Sequence, residues 1–216
     1  MAPVDGDAAE KSPFRWIDAA RYVVASVVAV LIIAVIVNAI KVVLRPESLF
    51  FSVSGGCVPM VRINQSSSQP MLVLQLGLRA DNPAGRARMY YVGITGYLFD
   101  KNVSAASLHP SSDCIVSFRV KDKVVEQKKA VVSSVNIKAN RRTMERSYFD
   151  LLYSGNGSTF FRDVTMRLDG TLITEVPSGF NASSRRTTYY CPQLLVGGDS
   201  SDDDAFKNRP DVVCST

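Results

Sequence analysis

Chemistry-bearing residues are scarce in this chain. There is one histidine, His109, and one tryptophan, Trp16, among 216 residues. His109 sits between Leu108 and Pro110 and has no Gly-x-Ser-x-Gly elbow to serve, so it reads as a loop residue rather than a general base. The four cysteines, Cys57, Cys114, Cys191 and Cys214, lack the Cys-x2-Cys pairing that gathers thiolates around zinc. No Gly-rich phosphate loop and no dinucleotide fingerprint occur. The acidic run Asp199 to Asp204 lacks the glycine and closing glutamate of a calcium loop and reads as a flexible segment. Charge of one sign is also limited, since a net +5 dispersed along the chain argues against a nucleic-acid partner. The chain therefore reads as non-enzymatic, with no cofactor and no metal.

What is present begins with a run free of formal charge from Tyr22 to Ile40, nineteen residues long. As a helix it would span roughly 28 Å at about 1.5 Å per residue, close to the ~30 Å hydrocarbon core of a bilayer. Residues 22–44 are thus expected to contact lipid. Lys41 can snorkel to the headgroups, while Trp16 and Tyr22 suit the opposite interface. A cleaved signal peptide is the alternative, with Val37 and Ala39 as the small-residue site, and would give a secreted form. The long charged leader and the continuation through Val42–Leu44 favour a retained anchor. Ala25 and Ala29 offer a small-xxx-small face for a homo-oligomer, although plain alanines in an apolar span explain them as well.

Orientation follows from chemistry on one side of the span. All four cysteines lie downstream, which favours an oxidising compartment there. So do four N-glycosylation sequons, at Asn64, Asn102, Asn156 and Asn181; Asn82 is followed by Pro83 and does not qualify. The reading is a cytosolic tail over 1–20, a transmembrane helix over 21–44, and an exported remainder. Within the latter, 45–70 form a juxtamembrane segment with the first strands, 71–196 a β-sandwich core, and 197–216 a C-terminal tail. Four cysteines allow three complete pairings. Spacing does not choose between them, and Cys191–Cys214, which would close the acidic run into a loop, is preferred.

Period-2 alternation marks the strands. Leu72, Leu74, Leu76, Leu78 and Ala80 point one way, Gln75 and Arg79 the other. After the turn-forming Asp81–Gly85, the segment Met89–Phe99 resumes strand character with Gly93 and Gly96 as bulge sites, so the pair reads as a hairpin. Further strands are expected at Cys114–Val120, Val131–Ile137, Phe161–Val176, with Gly170 shifting the register, and Thr187–Val196. Met144, Tyr148, Leu151 and Leu152 form the stripe of one short helix, N-capped by Thr143 and stopped by Gly155. The fold expected is mainly β: a single transmembrane helix, then an antiparallel β-sandwich of fibronectin-III or immunoglobulin type with one short helix. Lys121, Lys123, Lys128, Lys129, Lys138, Arg141, Arg142 and Arg146 make the densest basic region. It reads as a solvated strand face and its loop, or as a surface for acidic polysaccharide such as that of a cell wall, or for anionic headgroups.

The turn Asn82-Pro83-Ala84 followed by Tyr90-Tyr91 resembles the group-2 late embryogenesis abundant family of plants. Its membrane-bound branch includes the harpin-induced and non-race-specific disease-resistance proteins, and shows an Asn-Pro-Asn turn before a Tyr-Tyr strand. The stretch Val164–Gly170 and Cys191 after Tyr189-Tyr190 are also similar to that family's later strands. The segment His109–Phe118 departs from it, lacking the family's Pro-Phe-Tyr-Gln. The resemblance implies a fibronectin-III-like sandwich, plasma-membrane placement and a role in pathogen or dehydration response, with no catalytic residues to transfer. Two functions remain: an extracellular interaction domain with a protein partner, or a lipid-binding domain. A filled core favours the first, and an open apolar interior the second.

Overall fold

The computed structural model describes residues 16–43, 48–63, 70–100, 114–155, 159–175, 183–199, 206 and 209–216. Two compact units divide the chain at Pro46. The first contains α1, Trp16–Val43. Its segment Ala19–Ala39 has mean hydropathy 2.7 and buries none of its side chains. With apolar residues on every side and no polar face, the helix is long and apolar enough to cross a membrane.

The second unit is mainly β, as the alternation predicts. Its strands are β1 (Phe50–Val53), β2 (Cys57–Ile63), β3 (Met71–Asp81), β4 (Arg88–Phe99) and β5 (Cys114–Arg119). Then come β6 (Lys123–Val125), β7 (Ala130–Ala139), the helix α2 (Arg146–Ser154), β8 (Phe160–Glu175), β9 (Ser183–Asp199) and β10 (Val212–Val213). Hydrogen bonding links them into one mixed sheet in the order β10-β1-β3-β2-β9-β8-β4-β5, with β6 also on β4 and β7 also on β3. Every strand pair is antiparallel except β2 with β9, where Cys57 lies opposite Leu195 and Val58 opposite Val196. That short parallel seam joins the β7-β3-β1/β2 half to the β9-β8-β4 half, and the two halves share one apolar core.

Strand β3 shows why the sequence folds this way. Leu72, Leu74, Leu76, Leu78 and Ala80 are all buried. Each fully buried leucine is worth roughly 1.5–3 kcal/mol against exposure, so a one-residue slip of register is strongly disfavoured.

Several local expectations are corrected. β3 and β4 do not form a hairpin: β3 pairs with β1, β2 and β7, β4 with β5, β6 and β8, so Asp81–Ala87 crosses between the halves. A dense turn sequence signals a change of direction without saying which strand receives the chain. Gly93 does sit at a bulge, with φ 63° and a register shift between Val92 and Thr95, whereas pairing continues through Gly96. Gly170 is the β8 residue facing that register shift, between Thr171 and Asp169, while its pairing with Thr187 on β9 is regular. It is bare because the Tyr91 ring lies over it, and a Cβ there would come within 2.7 Å of that ring. In α2 the N-cap is Glu145, whose carboxylate accepts from the Tyr148 amide, and Gly155 ends the helix. Thr143 caps the turn before it, accepting from the Asn140 amide. The helix buries Phe149 and Leu152, while Leu151 is exposed.

Candidate functional site

The interior between the two halves is occupied. Phe51 from β1, Tyr91 from β4 and Tyr189 from β9 meet pairwise, with ring centroids 4.8 to 5.4 Å apart. The Tyr91 hydroxyl lies 2.8 Å from the Thr187 carbonyl and 3.0 Å from that of Leu168. Burial raises its pKa far above the usual tyrosine value. The Tyr189 hydroxyl is buried against the Leu49 backbone, and burial pushes its pKa up to about 12. Nothing here is arranged for proton transfer. The rings fill space, and the Tyr91 hydroxyl ties two strand carbonyls.

The motif residues separate into structural roles. Asn82 is buried and satisfied: its Nδ2 donates to the Ala87 and Val125 carbonyls at 2.9 and 3.0 Å, and its Oδ1 accepts from the Ala84 amide. The Asn82 amide itself donates to Lys129. One side chain thus pins the β3–β4 crossover to β6. Pro83 is exposed beside it. Tyr91 faces the core, and Tyr90 faces outward, donating to Glu175 at 2.6 Å.

Cys191 and Cys214 are bonded, with α-carbons 4.1 Å apart. The bridge ties the residue after β10 to β9, and hydrogen bonds pair β10 with β1, where the Cys214 amide donates to the Phe51 carbonyl. Cys57 carries a half-buried thiol whose pKa is raised by burial, and Cys114 stands half-buried at the start of β5. Asn64, Asn102, Asn156, Asn181, His109 and residues 200–204 lie outside the described residues. Among the described residues no three of His, Cys, Asp and Glu gather in a way that could hold a metal.

The basic region does not form one patch. Lys128 and Lys129 precede β7, at the end of the sheet where Ala130 meets Asp81. Lys123 is buried, and burial lowers its pKa. Arg141, Arg142 and Arg146 follow β7, at the opposite end, where Ala139 meets Leu72. There they line a cleft of about 560 Å³ together with Pro70 and Asp150. Its frame is a tight turn: Asn140 Oδ1 accepts from the amides of Arg142 and Thr143, and its carbonyl accepts from Met144. Arg141 is bound to Asp150 on α2 at 2.9 Å. Among the described residues the guanidinium groups of Arg142 and Arg146 have no ion-pair partner. The sequence signalled the arginines through charge density; Pro70 and Asp150 carried no signal, because the fold alone brings them there.

A second depression, about 380 Å³, lies over the outward side of β4, β8 and β9, lined in part by Thr95, Tyr97, Arg167, Asp169 and Thr188. Its polar groups bond one another, with Asp169 accepting from both Arg167 and Thr188 at 2.8 Å.

No protein-family model matches the chain. No curated protein matches it either. Among solved structures, one described as a protein from Archaeoglobus fulgidus aligns over 61% of this chain and 92% of its own, at 10% identity. With a TM-score of 0.25, that likeness carries no argument about fold or function.

Proposed function

We propose that the chain is a single-pass plasma-membrane protein whose exported β-domain acts by binding a partner, in the defence or stress setting that the plant-family resemblance implies. The observation that carries this reading is the filled interior, where Phe51, Tyr91 and Tyr189 take up the space a lipid-handling domain would leave open. An occupied core leaves the surface and the loops to do the work, as β-sandwich binding modules do. The Cys191–Cys214 bridge supports an oxidising compartment for the domain, and α1 supports the anchor.

The test is protease treatment of intact cells expressing the protein with a tag at each end, followed by proximity labelling from the C-terminal tag. Loss of the C-terminal tag, survival of the N-terminal one, and labelling of surface proteins are the expected results. A protected C-terminus would overturn the topology. Extraction of bound acyl lipid in stoichiometric amount with the purified protein would overturn the binding-module reading.

A further inference from the structure

The arginine cleft is a built feature, and its charge is unbalanced. The Asn140-centred turn fixes where Arg141 and Arg142 leave the backbone, and α2 fixes Arg146 and Asp150. Asp150 lies four residues after Arg146, the spacing of an ion pair along a helix. Its Oδ1 is nevertheless taken by Arg141 from the turn, through Nε and Nη2, both at 2.9 Å. Among the described residues, the one carboxylate lining the cleft is therefore spent on holding the turn to the helix, and two exposed guanidinium groups remain beside it.

We propose that this cleft binds an acidic glycan, an oligosaccharide bearing sulfate or carboxylate groups, with Arg142 and Arg146 contacting successive anions. Planar guanidinium forks match such oxyanions in a bidentate geometry that a lysine point charge does not reproduce. The proposal rests on the reading of the domain as exported, and that same reading favours a glycan over a lipid headgroup. Anionic lipid is concentrated in the cytoplasmic leaflet, whereas the disulfide supports the other side.

The experiment uses the full chain in phosphatidylcholine nanodiscs, titrated with a short sulfated oligosaccharide and with an oligogalacturonate at low and moderate salt. At least one should bind, with affinity falling as salt rises. Arg142→Gln combined with Arg146→Gln should weaken that binding by about tenfold or more, roughly 1.4 kcal/mol. Arg185→Gln combined with Arg186→Gln, exposed charges elsewhere on the domain, should change it less than about twofold. Unchanged melting temperatures establish that both variants are folded. Three results would overturn the proposal: no binding of either probe, an equal loss in the Arg185/Arg186 variant, or tighter binding of a soluble phosphoinositide headgroup than of either oligosaccharide. Because the titration does not depend on which side of a membrane the domain occupies, the cleft and the topology can fail separately.

Discussion

Asn82 illustrates how one side chain can serve as a structural joint. It is 2% exposed and has every polar atom of its amide engaged. Asn82→Asp keeps the volume but turns the donor toward two carbonyls into an acceptor, so it should cost about 2–4 kcal/mol. Chemical denaturation would show this as a lowered midpoint with unchanged slope; a stability within 0.5 kcal/mol of wild type, on the scale of ordinary surface changes, would mean that the crossover is held by something else. The buried tyrosines set the alkaline limit. Unfolded tyrosines ionise near pH ~10, whereas burial holds Tyr189 up to about 12 and, with Asp100 beside it, Tyr148 likewise to about 12. Their folded values are raised, so the stability they contribute is full below the unfolded value and is lost as pH climbs through the folded one. Lys123 acts in the opposite sense, because its lowered value makes the folded state release its proton first. Melting temperatures should therefore fall above pH ~10, and Tyr189→Phe should make the fall shallower. An equally steep decline in that variant would remove Tyr189 from the account. At neutral pH Tyr91→Phe should cost ~1 kcal/mol, because the Tyr91 hydroxyl ties two strand carbonyls.

At the scale of elements, β10 is the part most dependent on a covalent tie. Two residues pair it with β1, supported by the reciprocal Tyr190–Ser215 bonds at 2.7 and 2.8 Å. The bridge spans 23 residues of sequence, a loop whose closure is worth about 3 kcal/mol. Reduction should lower the melting temperature and raise hydrogen exchange over residues 209–216 and at the Phe51 edge of β1. Exchange that stays protected under reductant would show that the strand holds on its own. The strands themselves were legible because alternation is a local property: β3, β5, β7 and β8 follow from which residues point inward. Their partners were not. The Asp81–Ala87 turn gave no sign that β4 would join β8 rather than β3, and β6 was hidden by the lysines around it. Helix α2 was readable in place and in its glycine stop. Its buried face includes Phe149, because Leu151 turns to solvent and Glu145, not Thr143, sets the cap.

For the molecule as a whole, charge and attachment chemistry are distributed by the fold in a way the sequence order conceals. The basic region reads as one block from Lys121 to Arg146, yet β7 carries the lysines before it and the arginines after it to opposite ends. The cleft was therefore legible as composition and not as a place. At least one of the four sequons is expected to carry glycan, with Asn156, between two glycines after α2, and Asn102, after the end of β4, the better candidates. Glycosidase treatment of protein from its native host should increase its mobility, and the shift should shrink in Asn102→Gln and Asn156→Gln. An unshifted band would count against passage of the domain through the secretory route. The pairing of β1 with β10 has a consequence for biogenesis. The first strand of the domain to emerge from the ribosome is flanked on one side by β10, which comes after β2 through β9 in the chain, so that edge stays open until β10 has been made. Until Cys214 has been made, Cys191 also lacks its mate, and a nascent chain in that state displays an unpaired β edge and a reactive thiol together.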